Sequence, residues 1–275
     1  MTKFVEVPGG RLAYTDVGIG PLVVGVPGMG DLRSAYRFLA PLLVEAGYRF
    51  VSVDVRGHGE SSVAWDDYSV GAIAGDILAV IRSVHAGPAC VIGNSMAAAA
   101  GVIAAAREPK LVRGLVLIGP FVRDVIPARL AAAIFGPMLG GPWRGALWRM
   151  LFKRSFPTRL PDDYAAEESR RDANLAQPGR FTAFRRMAIA SKIESERRIA
   201  EVTAQTLVLM GTRDGDFPDP AKEARKVGEL LNGRVVMIEG AGHYPHVEMP
   251  QAVAAEIVPF LQSVDGAPDT LRHAS

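Results

Sequence analysis

A serine hydroxyl becomes a nucleophile at neutral pH only when a base takes its proton and an acid orients that base. The stretch Val91-Ile92-Gly93-Asn94-Ser95-Met96-Ala97 sets one serine between an apolar run and the alanine run Ala97–Ala100, with small residues two positions to either side. A strand turning abruptly into a helix here would put Ser95 on a sharp, exposed corner, the form of a nucleophile elbow. Large side chains at positions 93 or 97 would collide with the turning backbone. His243, in Gly240-Ala241-Gly242-His243, can take the hydroxyl proton, and Asp214, just after Met210-Gly211, can hold the imidazole. Negative charge on a tetrahedral intermediate calls for backbone N–H donors. Met96, directly after the serine, offers one. Met29, in Pro27-Gly28-Met29-Gly30, offers the second.

These residues meet only if the chain brings strand ends together. The apolar runs Leu22–Val26, Phe50–Val55, Ala89–Ile92, Leu115–Ile118, Thr206–Met210 and Val235–Ile238 are β-branched-rich and too continuous to be half exposed. That is the pattern of parallel strands covered on both faces. Helical patterns at Ser34–Glu45, Val70–Val84, Met96–Arg107, Pro220–Leu231 and Pro250–Val264 alternate with them. An α/β fold with a mainly parallel sheet follows. Phe4–Val7 and Arg11–Val17, parted by Pro8-Gly9-Gly10, predict an antiparallel hairpin at one edge. Ligands of such sheets bind at the carboxyl ends of the strands. Ser95, Asp214 and His243 all follow strand ends.

The interval from Ile118 to Thr206 is far longer than one crossover helix requires. It reads as a helical cap after strand 6, giving a core of residues 1–120 and 201–275 with the cap at 121–200. Breaks are expected at Gly136-Pro137, Gly140-Gly141-Pro142 and Pro178-Gly179. The arginines of this segment read first as a solvated helix surface, with an anion-attracting cap or a membrane-surface patch as the other readings.

The 275 residues are 49% hydrophobic, enough for a sizeable core, and the net charge of +2 gives no reason to expect a nucleic-acid partner. Cys90 is the one cysteine and sits in an apolar run, so it reads as a core thiol without a disulfide. No metal-ligand spacing is present. The glycines from Gly25 to Gly30 lack dinucleotide spacing, so no cofactor is expected. Leu130–Trp143 is too short and too rich in Gly and Pro to span a bilayer, and Met1–Glu6 lacks the apolar stretch of a signal peptide. A cytoplasmic protein is expected, with a polar tail from Asp265 onward.

Four blocks together resemble the α/β-hydrolase family, across essentially the whole chain. They are the elbow Gly93–Ala97, the loop Asp54-Val55-Arg56-Gly57-His58-Gly59-Glu60-Ser61, the acid loop Gly211-Thr212-Arg213-Asp214-Gly215-Asp216-Phe217-Pro218, and Gly240-Ala241-Gly242-His243 followed by Glu248-Met249-Pro250. The resemblance implies an eight-stranded, mainly parallel sheet flanked by helices, with the cap inserted after strand 6. It also implies a serine hydrolase with the triad Ser95, Asp214 and His243, an oxyanion hole at Met29 and Met96, and a small-molecule acyl substrate, which the aromatic and aliphatic content of the cap suggests is apolar. Asp214 is preferred to Asp216, Asp219 and Asp124 because it stands three residues after Gly211. His246, His58 and Asp54 are given structural roles. The chain departs from the family at Pro27, where histidine is usual, at Ala97, where glycine is usual, and at Asn94. An ester is the generic substrate. Lactonase, carbon–carbon hydrolase and perhydrolase chemistry use the same triad, and a non-catalytic receptor keeps the same fold. Neutral His243 as base implies kcat/KM rising through about pH 6 to 7.

Overall fold

The computed structural model describes residues 1–266. The polar-tail expectation falls mostly outside them. The elements run β1 (Lys3–Val7), β2 (Gly10–Val17), β3 (Leu22–Val26), α1 (Leu39–Glu45), β4 (Arg49–Val53), α2 (Val70–Val84), β5 (Ala89–Asn94), α3 (Met96–Arg107) and β6 (Val112–Ile118). Five helices follow: α4 (Ala128–Met138), α5 (Arg144–Arg154), α6 (Tyr164–Leu175), α7 (Arg180–Ala188) and α8 (Ile193–Arg198). The chain then returns through β7 (Gln205–Gly211), α9 (Pro220–Leu231), β8 (Arg234–Ile238), α10 (Pro245–Glu248) and α11 (Pro250–Gly266).

One sheet of eight strands has the order β1-β2-β4-β3-β5-β6-β7-β8. β2 runs antiparallel to β1 and β4, and every other pairing is parallel. Alternate residues serve opposite faces, as strand geometry requires. Val91, Leu115 and Leu117 pack with α2, α3 and α9 on one face. Ile92, Val116 and Ile118 pack with α1 and α11 on the other. Seven of the twelve residues of α3 are alanine, and Met96 to Ala105 are buried, because small side chains let the helix approach the sheet closely.

Two expectations need correction. The Ser34–Glu45 pattern splits into a 3-10 turn at Arg33–Tyr36 and a short α1, with Pro41 in its first turn where the missing N–H is tolerated. Helix α4 runs through Gly136-Pro137 and ends one residue later at Met138, so the break falls just after the proline rather than before it. The other two glycine–proline breaks do separate helices. Among the described residues no helix is long and apolar enough to cross a membrane.

Candidate active site

Five strand ends build one rim: the loops after β3, β5, β6, β7 and β8. At the elbow Ser95 has φ 58° and ψ −123°, a left-handed conformation that a residue with a side chain adopts only under strain. Gly93 permits the turn, since a Cβ there would lie 2.6 Å from the Ala97 carbonyl oxygen. The corner is as expected, but the exposure is not. Ser95 is only 6% exposed. The loop after β3 covers it so closely that a Cβ on Gly28 would sit 3.1 Å from Ser95 Cβ.

His243 lies beside this elbow. Its Nδ1–H donates to Asp214 Oδ2 at 2.8 Å, with both groups buried. This bond fixes the tautomer and leaves Nε2 without its proton in the neutral ring. Among the described residues Nε2 has no hydrogen-bond partner, so no bond joins it to Ser95. Asp216 Oδ2 stands 3.4 Å from Nε2, and the Asp216 N–H donates to Asp214 Oδ1. The imidazole therefore has a carboxylate on each ring nitrogen. Burial pushes His243 toward the neutral form, but Asp214 and then Asp216 outweigh it and hold the pKa up at about 9. That replaces the ordinary range expected from sequence. The three residues also form the donor cluster Asp214, Asp216 and His243 that could ligate a cation. The hydrogen bond already made by His243 Nδ1 leaves only Nε2 and Asp216 free for that use.

The other acids stand elsewhere. Asp219 caps α9 through Lys222 N–H, and Asp124 accepts bonds from Ser191 and the Lys192 N–H. Met96 opens α3, so its N–H is among the helix-start donors that lack an intrahelical acceptor. Met29 N–H has no acceptor among the described residues either. Its neighbour Gly30 donates to His58 Nε2 at 3.1 Å, while His58 Nδ1 bonds the Arg56 carbonyl. Burial lowers the His58 pKa to about 4, so the ring stays neutral and can accept from Gly30. Asp54 fixes its own turn at Glu60 N–H, as expected, and also binds Arg33 through backbone and guanidinium.

Sequence reasoning missed three positioning residues. Asn94 Nδ2 donates to the carbonyls of Ile118 and His243, tying the elbow to the histidine loop. Glu248 accepts from the N–H groups of Gly242, Thr158 and Arg159. The Ser155 carbonyl, just past α5, accepts from His243 N–H. The nearby His246 is fully buried between the Tyr36 and Tyr244 rings, and burial lowers its pKa to about 3.

Residues 23–256 match the alpha/beta hydrolase family. The chain belongs to this family. Among similar proteins, a 2-hydroxy-6-oxo-6-phenylhexa-2,4-dienoate hydrolase of Comamonas testosteroni is 26% identical over 271 residues, 90% of each chain. An esterase from Exiguobacterium antarcticum shares the fold at a TM-score of 0.83 and 20% identity, covering 96% of this chain and all of that one. A bromoperoxidase from Bacillus anthracis does so at 0.81 and 20%, covering 95% of this chain and all of that one. The fold is therefore common ground among proteins of different chemistry.

Proposed function

We propose that this alpha/beta hydrolase cleaves a carboxylic ester or a related acyl compound through Ser95, His243 and Asp214. The observation that carries the reading is the buried 2.8 Å bond from His243 to Asp214 on the rim that holds the strained Ser95. In neutral His243 the lone pair of Nε2 is free to accept a proton. Substrate binding brings Ser95 Oγ to Nε2; such bonds are often long before substrate arrives. Oγ attacks the acyl carbon, His243 takes its proton, and the N–H groups of Met29 and Met96 receive the oxyanion. His243 then protonates the leaving alcohol, and a water activated by the same nitrogen releases the acid.

In this reading helices α4–α8 are the cap, and the apolar substrate binds between cap and rim in a cytoplasmic enzyme. Trp148, Phe152 and Phe184 form apolar clusters that join these helices to Met29 and Tyr244 on the rim. A carbon–carbon bond in a 2-hydroxy-6-oxo-dienoate is the second reading, supported by the Comamonas relative, since the same triad would serve it. The test is steady turnover of a panel of p-nitrophenyl esters by the wild type and by Ser95→Ala. Turnover lost in the variant is the expected result. Wild type and variant equally inert on esters and on a 2-hydroxy-6-oxo-dienoate would favour a receptor.

A further inference from the structure

Helix α5 has two faces of different character. Its inner face carries Trp148 and Phe152, four residues apart. Trp148 packs on Phe184, and Phe152 packs on Tyr244 beside His243. Its outer face carries Trp143 at the helix start and Met150 two turns on, 58% and 52% exposed. Helix α4 adds Leu130 and Ile134, one turn apart and each nearly half exposed. Trp143 Nε1–H donates to the Met138 carbonyl, so the indole lies against the end of α4. Single exposed apolar residues need no explanation, but a run of large ones on consecutive helices does.

Charge identifies the occupant. From Val125 to Leu160 the sequence contains Arg129, Arg144, Arg149, Lys153, Arg154 and Arg159 and no acidic residue. All six are exposed. Arg149 and Arg159 reach Asp172 and Asp162; the other four meet no carboxylate among the described residues. A second copy of the chain fits poorly here, because a twofold contact lays a patch on itself and would set these cations against one another. An anionic bilayer supplies both missing halves, a sheet of phosphates for the cations and an interfacial layer for tryptophan and aliphatic groups. We propose that the outer face of α4 and α5 docks on an anionic phospholipid surface. Trp143, Met150, Leu130 and Ile134 enter the headgroup layer, and Lys153 and Arg154 pair with lipid phosphates. On the functional reading above, docking would also place the apolar face over the site beside acyl compounds dissolved in the membrane.

The test does not need catalysis. The full chain carrying Ser95→Ala is sedimented with vesicles of phosphatidylcholine alone and with vesicles of equal parts phosphatidylcholine and phosphatidylglycerol. It should bind the anionic vesicles, bind the neutral ones far less, and be released by added salt. Lys153→Glu with Arg154→Glu should weaken binding by at least about 25-fold, at about fivefold per cation lost. Trp143→Ser with Met150→Gln should weaken it by about tenfold. Circular dichroism of both variants reports that the fold is kept. Equal binding to both vesicle types, binding to neither, or variants that bind like their parent would overturn the proposal. So would a dimer in sedimentation velocity that Trp143→Ser with Met150→Gln dissociates.

Discussion

The rim and the inserted helices are held by different means. On the rim strained backbone does much of the holding, together with buried side chains such as Asn94 and Glu248. Ser95 is strained, Gly119 has φ 51°, and a Cβ on Gly119 would come within 2.8 Å of His243 Nδ1. The inserted helices are held by side chains along one face of α6. Arg37 grips Asp163 with two bonds of 2.6 Å, Ser34 meets Glu167, Asp31 lies 4.0 Å from Arg171, and Asn174 bonds both backbone groups of Gly59. These contacts sit three or four residues apart, as one helix face requires. The rim thus leaves no room for an added side chain at Gly93 or Gly119, whereas the latch is a set of separate side-chain contacts. Changes on the rim should remove the chemistry, and changes on the latch should shift stability or substrate binding.

The sharpest break in that contrast would come from the acid. Asp214→Asn should lower kcat by about 10⁴ with the fold intact, because the imidazole loses its oriented tautomer. Steady-state kinetics and circular dichroism check this. A mild Asp214→Asn beside a crippling Asp216→Asn would transfer the role to Asp216. Next in size is Gly119→Ala, which forces a methyl group toward His243 Nδ1 and Asp214 Oδ2. It should cost about 100-fold in kcat/KM, the scale of a displaced catalytic group.

The pH profile is the third measurement. In the proposed mechanism His243 works as a base only when neutral, and its pKa stands at about 9. kcat/KM should therefore climb about tenfold per pH unit from neutrality and level off near pH 9. Asp216→Asn removes a carboxylate facing Nε2, so the plateau should begin at lower pH and the rate at pH 7 should rise several-fold. The same shift has a stability consequence. Folding favours protonated His243, so its contribution is full below pH 6.5 and is lost as pH rises through about 9. Thermal melts across that range read it directly. The smallest effect belongs to the latch. Asp163→Asn breaks a partly exposed pair with Arg37 and should lower Tm by about 2–4 °C, with kcat unchanged.

The same contrast explains what the sequence could reveal. Rim features are written locally: Gly93 before Ser95, Gly211 before Asp214, and Gly242 before His243 each mark a turn at a strand end. Their types and order sufficed to expect that all three would gather. Features that depend on distant partners were silent. Asn94 reads as an unremarkable polar residue until its amide is seen on the His243 carbonyl, and Glu248 serves N–H groups from two separate loops. Asp216 gave no sign that it faces Nε2, and so the histidine pKa was expected too low. The burial of Ser95 was equally illegible, since the Gly28 loop that covers it comes from another strand. Within the insertion, the helical character and two of the three breaks were visible, but none of the partners of α6 on the loops after β3 and β4 was.

The account stands on a hydroxyl that His243 can activate at the elbow. Incubation of the intact chain with a fluorophosphonate, followed by peptide mass mapping, addresses it directly. Covalent label on Ser95 alone, slowed by Asp214→Asn and absent in Ser95→Ala, is the predicted result. A chain left unlabelled at pH 9, where His243 is neutral in half or more of the molecules, or labelled on another residue, would contradict it.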